Sequence, residues 1–101
     1  MAEYWIINTT RENNKIKNVR AFVNTIEGLI NPIRYTREEI ITSIEKAGNH
    51  WYTAVLKEKR GNQNIWEQGS EIHVINIEDE KFIRTDRDNT KNDHFDYPSA
   101  I

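Results

Sequence analysis

The sequence predicts an α+β domain of order ββαβββ, in which a curled antiparallel sheet, approaching a small barrel, is packed by one helix. Three observations predict it. Only one segment carries the signals for both ends of a helix, the other apolar residues alternate or cluster as strand residues do, and those strands are apolar on both faces.

The helix starts at Thr36, whose hydroxyl can accept from a free backbone amide while Glu39, three residues on, completes a capping box; Tyr35 and Ile40 stand at the staple positions. Ile40, Ile41, Ile44 and Ala47 recur at helical spacing, and Gly48-Asn49 supplies the left-handed residue that ends many helices, so residues 37–47 are read as helical.

Before the helix, Tyr4-Trp5-Ile6-Ile7 and residues 16–23 read as a hairpin around Asn13-Asn14, a pair suited to positive φ angles. Gly28 and Asn31-Pro32 interrupt residues 25–34, which are read as an irregular connection whose Ile26, Leu29, Ile30 and Ile33 plug one end of the core. After the helix come a β-branched and aromatic strand at 51–57, a loop at Gly61-Asn62, a strand at 71–77, a turn at Glu78-Asp79-Glu80 and a strand at 81–85. Residues 86–101 read as a loop or extended tail that Phe95, Tyr97 and Pro98 could dock, within a single domain covering 1–101.

Tyr4 and Ile6 point away from Trp5 and Ile7, and Ile72 and Val74 away from Ile75 and Ile77. One helix covers one face. The sheet must therefore curl, be covered by the loop and tail, or pair with another subunit; a strongly curled sheet is the first expectation and a homodimer the second.

Composition bounds the function. At 101 residues, 37% apolar and 30% charged, the chain can bury one core and no second. It has no cysteine, which excludes disulfides and thiolate metal sites. No basic leader precedes an apolar run, and no stretch nears the roughly 20 apolar residues of a membrane span, so a cytoplasmic protein with no membrane partner is expected. A net charge of -2 gives no general attraction for phosphate backbones. Isoleucine and asparagine outnumber leucine, as adenine- and thymine-rich coding produces, which points to a low-GC bacterium or its phage.

Catalytic patterns are missing. His50, His73 and His94 lack the i+3 or i+4 spacing that brings two donors to one metal. The Asp86 to Asp93 run resembles a calcium loop, but Lys91 stands where glycine is needed and Tyr97 where a bidentate glutamate is needed. Ser43, Ser70 and Ser99 lie in no nucleophile elbow, Glu38-Glu39 is explained by the helix start, and the four glycines build neither a dinucleotide motif nor a P-loop. No catalytic residue, metal or cofactor is expected, and the chain reads as a non-enzyme.

Lys57, Lys59 and Arg60 at a hairpin tip, with Trp66 after them and Trp51-Tyr52 before, form the remaining constellation. Cations beside exposed aromatics suit single-stranded nucleic acid, although Glu58 and Glu67 interrupt the pattern. The other readings are a solvated hairpin over core tryptophans and a protein-binding edge.

Trp51-Tyr52-Thr53, Trp66-Glu67-Gln68-Gly69-Ser70-Glu71-Ile72-His73-Val74 and Lys81-Phe82-Ile83-Arg84-Thr85-Asp86 together resemble the bacterial family known as domain of unknown function thirty-eight ninety-two. Its members pair a T-x-E-E-type helix with W-x-x-G-x-x-V-x-V and Y-L-R-T-D strands. Where that family ends in Asp-Asn-Leu and Leu-Pro, this chain has Asp93, Phe95, Tyr97 and Pro98. The resemblance implies no activity; it marks Arg84, Thr85 and Asp86, with Arg84 pairing to Asp86 or Asp93 as a purely structural explanation. The sequence thus leads to a small protein-binding or regulatory module, phage or mobile-element encoded, with nucleic-acid binding through the basic hairpin as the alternative.

Overall fold

The computed structural model describes residues 2–13, 15–86 and 90–95. Three strands precede the helix: β1 (Glu3–Glu12), β2 (Lys15–Thr25) and β3 (Gly28–Thr36). Helix α1 (Arg37–Glu45) leads to β4 (His50–Arg60), β5 (Gln63–Glu71), β6 (His73–Ile77) and β7 (Glu80–Arg84).

Helix α1 forms where its cap places it. Thr36 Oγ1 accepts from Glu39 N and Glu39 Oε1 accepts from Thr36 N, closing the capping box. The helix stops two residues earlier than its apolar spacing implies, with Lys46 as C-cap and Gly48 beyond it at φ 67°. Ile40 is buried, Ile41 and Ile44 are half-buried, and Ala47 is exposed, so the stripe loses its last member to solvent.

Residues 25–34 are not an irregular connection but the β2–β3 turn and most of an edge strand. Gly28 at φ +110° closes the turn, where Thr25 Oγ1 donates to the Gly28 carbonyl at 2.8 Å. Pro32 lies inside a register jump between the pairs Ala21/Ile33 and Val23/Ile30. An edge strand tolerates proline at such an irregularity, where its missing N–H costs no ladder bond. Ile26, Ile30 and Ile33 do not plug the core either: they are 106%, 51% and 53% exposed.

Residues 63–70, between the expected strands, form most of β5, and the 71–77 segment breaks at Ile72 into the end of β5 and all of β6. The five-stranded sheet has the order β3-β2-β1-β4-β5, and among the described residues β6 and β7 form a separate two-stranded sheet. The sheet is open and mixed, because β1 and β4 run parallel over Glu3–Ile6 and His50–Thr53. The intervening hairpin and helix form the crossover that parallel pairing requires.

Ile6, Val19, Ala21 and Trp51 from the sheet meet Ile40 of α1, Ile72 and Ile83 flanking and within the second hairpin, and Phe95. The core is therefore on one face of the large sheet. Asp93 locks its layers together. Its carboxylate, 0% exposed, accepts from Ile16 N (2.7 Å), Ile83 N (2.9 Å) and Arg37 Nε (2.7 Å), tying β2, β7 and α1 to one side chain. Arg84 donates to Asp86 Oδ1 at 2.7 Å and to the Asn92 carbonyl at 3.0 Å, so of the two carboxylates open to it Asp86 is the one it pairs with. Phe95 anchors this segment as expected, while Asn14, Asp88, Asn89, Tyr97, Pro98 and Ser99, invoked in the sequence reading, lie outside the described residues. Among the described residues no helix is long and apolar enough to cross a membrane.

The β6–β7 turn places Glu78 at φ 51° and Asp79 at φ 69°. Two consecutive left-handed residues are the signature of a type I′ turn, for which Asn-Gly is the preferred pair. The double substitution Glu78→Asn, Asp79→Gly is expected to stabilise the protein by about 1 kcal/mol, read as a higher denaturant midpoint. The exposed Glu78–Lys91 ion pair that it removes contributes little.

Candidate binding face

Around the β1–β4 join, strand alternation divides the large sheet into two faces. Tyr4 and Ile6 of β1 turn to the core, which sends Glu3 and Trp5 to the opposite side. Trp5 lies level with Phe22 on β2 and with Tyr52 on β4, and Leu56, two pleats beyond Tyr52, lies level with Trp66 on β5. Trp5, Phe22, Tyr52, Leu56 and Trp66 thus share the face turned away from α1, all half-buried. The Phe22 and Trp66 rings approach to 5.9 Å at 57°. Their strands are separated by β1 and β4, about 14 Å apart if the sheet were flat.

The two ends of this face differ in charge. At one end Glu3 Oε1 accepts from Trp5 Nε1 (2.7 Å) and Asn24 Nδ2 (2.9 Å), and Glu71 Oε2 lies 3.0 Å from His50 Nδ1. Burial, then the Glu71 and Glu3 carboxylates, raise the pKa of the Tyr52 hydroxyl above its ordinary value. At the other end Arg20 of β2 and Arg34 of β3 are direct cross-strand partners, both exposed. Arg20 is also level with Asn8 of β1 and stands one pleat repeat from Phe22. Arg11, Arg37, Arg60 and Arg84 all donate to a carbonyl or carboxylate oxygen. Arg20 and Arg34 have no such partner among the described residues.

The residues singled out in the sequence do not assemble into one site. Trp51 is 1% exposed, its ring stacked on Tyr4 at 4.2 Å and its Nε1 donating to Ser43 Oγ at 2.9 Å, so it belongs to the core. Tyr52 and Trp66 lie on the opposite face. Lys57, Lys59 and Arg60 are exposed towards the hairpin tip, but Lys59 and Arg60 are level with Asn64 and Gln63, beyond Trp66, and Arg60 pairs with Glu58 at 2.9 Å. Arg84 is 5% exposed and holds Asp86 and Asn92, a role inside the fold. Trp5, Phe22, Arg20 and Arg34 were not among the site residues drawn from the sequence. Strand parity marks Trp5 as opposite to Tyr4, whereas the pairing of Arg20 with Arg34 depends on a register that no local motif encodes.

A cavity of about 540 Å³ also opens between α1 and the sheet, with Tyr4, Tyr35, Trp51, Glu38 and Lys46 in its walls. Its aromatic rings are occupied with one another: Tyr35 meets Tyr4 and Trp51 edge-on at 5.4 and 5.1 Å. Burial, then the neighbouring Tyr4 and Glu39, raise the Tyr35 hydroxyl's pKa. No group of three or more His, Asp or Glu side chains able to hold a metal occurs among the described residues.

Gly69, three residues past Trp66, is required by packing. A Cβ there would lie 2.5 Å from Thr53 Oγ1 and 2.7 Å from the Thr53 carbonyl, and Thr53 is 0% exposed with its hydroxyl accepting from Ser70 N. Backbone cannot yield as a side-chain tip does. Gly69→Ala should therefore destabilise by about 1–3 kcal/mol, visible as an earlier thermal transition; an unchanged transition would mean that β5 shifts without cost.

Comparison of the chain with family models, with curated proteins and with solved structures gives no match.

Proposed function

We propose that this chain is a small, non-enzymatic, cytoplasmic protein-binding or regulatory module whose contact surface is the sheet face opposite α1. The observation that carries this reading is the gathering of Trp5, Phe22, Tyr52, Leu56 and Trp66, from four strands, on the face that helix and second hairpin leave uncovered. Tryptophan, tyrosine and phenylalanine are enriched at protein interfaces because they bury large areas while losing little side-chain freedom. The Phe22–Trp66 contact across four strands supports a sheet bent strongly towards this face, so that its aromatics line a shallow trough. A bacterial or phage source and the family resemblance of residues 51–86 fit this reading and add no activity to it.

Affinity capture from a lysate of the source organism tests it, using the tagged wild-type chain beside Trp66→Ala. Trp66 is half-buried on the outer face, so its loss should leave the thermal transition within a few degrees. The wild type is expected to retain a defined protein that the folded variant loses. Equal retention by both, or none by either, overturns the reading.

A further inference from the structure

We propose that Arg20 and Arg34 form a carboxylate clamp, and that the occupant of this face is an extended acidic segment of another protein. This inference rests on the protein-binding reading above and names the chemistry of the partner. Two like charges directly opposite on neighbouring strands repel and weaken the pair. Here that arrangement stands on an exposed edge with no compensating anion among the described residues, although the chain's acidic residues outnumber its basic ones, 16 to 14. A carboxylate placed between the two guanidiniums would remove the repulsion and could accept paired N–H donors from each, the geometry for which arginine is better suited than lysine.

The neighbouring residues set the rest of the pattern. Phe22 follows Arg20 on the same face at i+2, which is about 7 Å along a strand, and Trp66 packs against Phe22. An extended segment running along β2 would bring a side chain two residues from its carboxylate onto the Phe22–Trp66 floor. The preferred segment therefore has an aspartate or glutamate two positions from an aliphatic residue.

A nucleic-acid strand fits less well. It carries a phosphate at every nucleotide, and the far end of the face presents Glu3 and Glu71 rather than cations. Phe22 and Trp66 are also tilted against each other at 57°, which leaves no open parallel pair for a base to stack on.

The test uses the full chain, isotope-labelled, and a capped octapeptide of sequence Ser-Glu-Ser-Leu-Ser-Glu-Ser-Leu as the probe. Binding should shift the side-chain Nε–Hε signals of Arg20 and Arg34 and the indole signal of Trp66. A probe with glutamine for glutamate should bind about tenfold more weakly, and Arg20→Gln or Arg34→Gln should bring the acidic probe down to that level. Arg34→Glu, which puts opposite charges across the same pair, should abolish binding while raising the thermal midpoint by about 2 °C, separating lost contact from lost fold. Equal binding of the two peptides, shifts centred on Lys57 and Lys59, or tighter binding of a ten-nucleotide oligothymidylate would each overturn the proposal. The two levels fail differently. If a captured protein depends on Trp66 but not on Arg20 or Arg34, the aromatic face stands and the clamp falls; if capture ignores Trp66, the underlying reading falls first.

Discussion

Replacing Asp93 by asparagine is expected to destabilise the protein nearly as much as replacing it by alanine, by about 3–5 kcal/mol in either case. The near-equality follows from what surrounds the carboxylate. Oδ2 accepts from Ile16 N and Arg37 Nε, and Oδ1 accepts from Ile83 N and Arg37 Nη2, so both oxygens face only donors. Asparagine keeps the shape but turns one acceptor into an NH2 group that must point at an N–H, leaving a buried donor unsatisfied and the guanidinium without its counter-charge. Removing Arg37 should cost a comparable amount, because the carboxylate would still hold two backbone amides but, fully buried, would lose its counter-charge. Chemical unfolding of Asp93→Asn, Asp93→Ala, Arg37→Met and the double variant gives the coupling directly. A stable Asp93→Asn protein would show that the three layers are held by apolar packing alone.

The sequence marks Asp93 only through the family resemblance and as one of two carboxylates open to Arg84, whereas its ion-pair partner is Arg37. It is one of several aspartates and asparagines in a polar run, and its importance comes from β2, β7 and α1 converging on it from positions far apart in the chain. The local elements were easier to read. Thr36 and Glu39 satisfy amides within one turn, so the helix start is legible from four residues, and the β1–β2 hairpin follows from alternation on both sides of a tolerant turn. β3 was hidden because Gly28 and Pro32, read as breakers of a segment, serve here as the turn and the irregularity of an edge strand. β5 was hidden for a different reason. Facing water along much of its length, its segment from Gln63 to Glu71 has only Ile65 and Trp66 to distinguish it from a loop, and Gly69 adds a loop signal of its own.

The candidate face divides in the same way. Alternation alone shows apolar residues on both sides of the strands, since parity is a local property. Which residues from different strands meet is a matter of register. The Arg20–Arg34 pair depends on the residue that β3 gains between Ala21/Ile33 and Val23/Ile30, and the Phe22–Trp66 contact on strand order and on bulges at Ile7, Lys17 and Lys57, where one strand gains a residue on its partner. The tryptophans illustrate the limit best: Trp51 and Trp66 each stand in a strand among mixed neighbours, yet one is core and the other is half-buried on the outer face.

That contrast yields the second large effect. Trp51→Ala is expected to cost about 3–5 kcal/mol, whereas Trp66→Ala should cost far less and act on binding. Trp51 sits at the parallel join of β1 and β4, which spans only Glu3–Ile6 and His50–Thr53, and it is the cross-strand neighbour of Tyr4. The two rings stack with planes 12° apart and Tyr35 closes the cluster edge-on, so truncation removes both the volume and the packing that spans the join. Ser43 keeps a hydrogen bond from Asn49 Nδ2 when the indole is lost, so the penalty is one of packing and Trp51→Phe should recover most of it. Native-state hydrogen exchange would locate the damage. In Trp51→Ala the amides of the β1–β4 join should lose protection before those of the β1–β2 ladder, while uniform loss across the sheet would mean that the halves unfold as one unit and that the short parallel join is not its weakest seam.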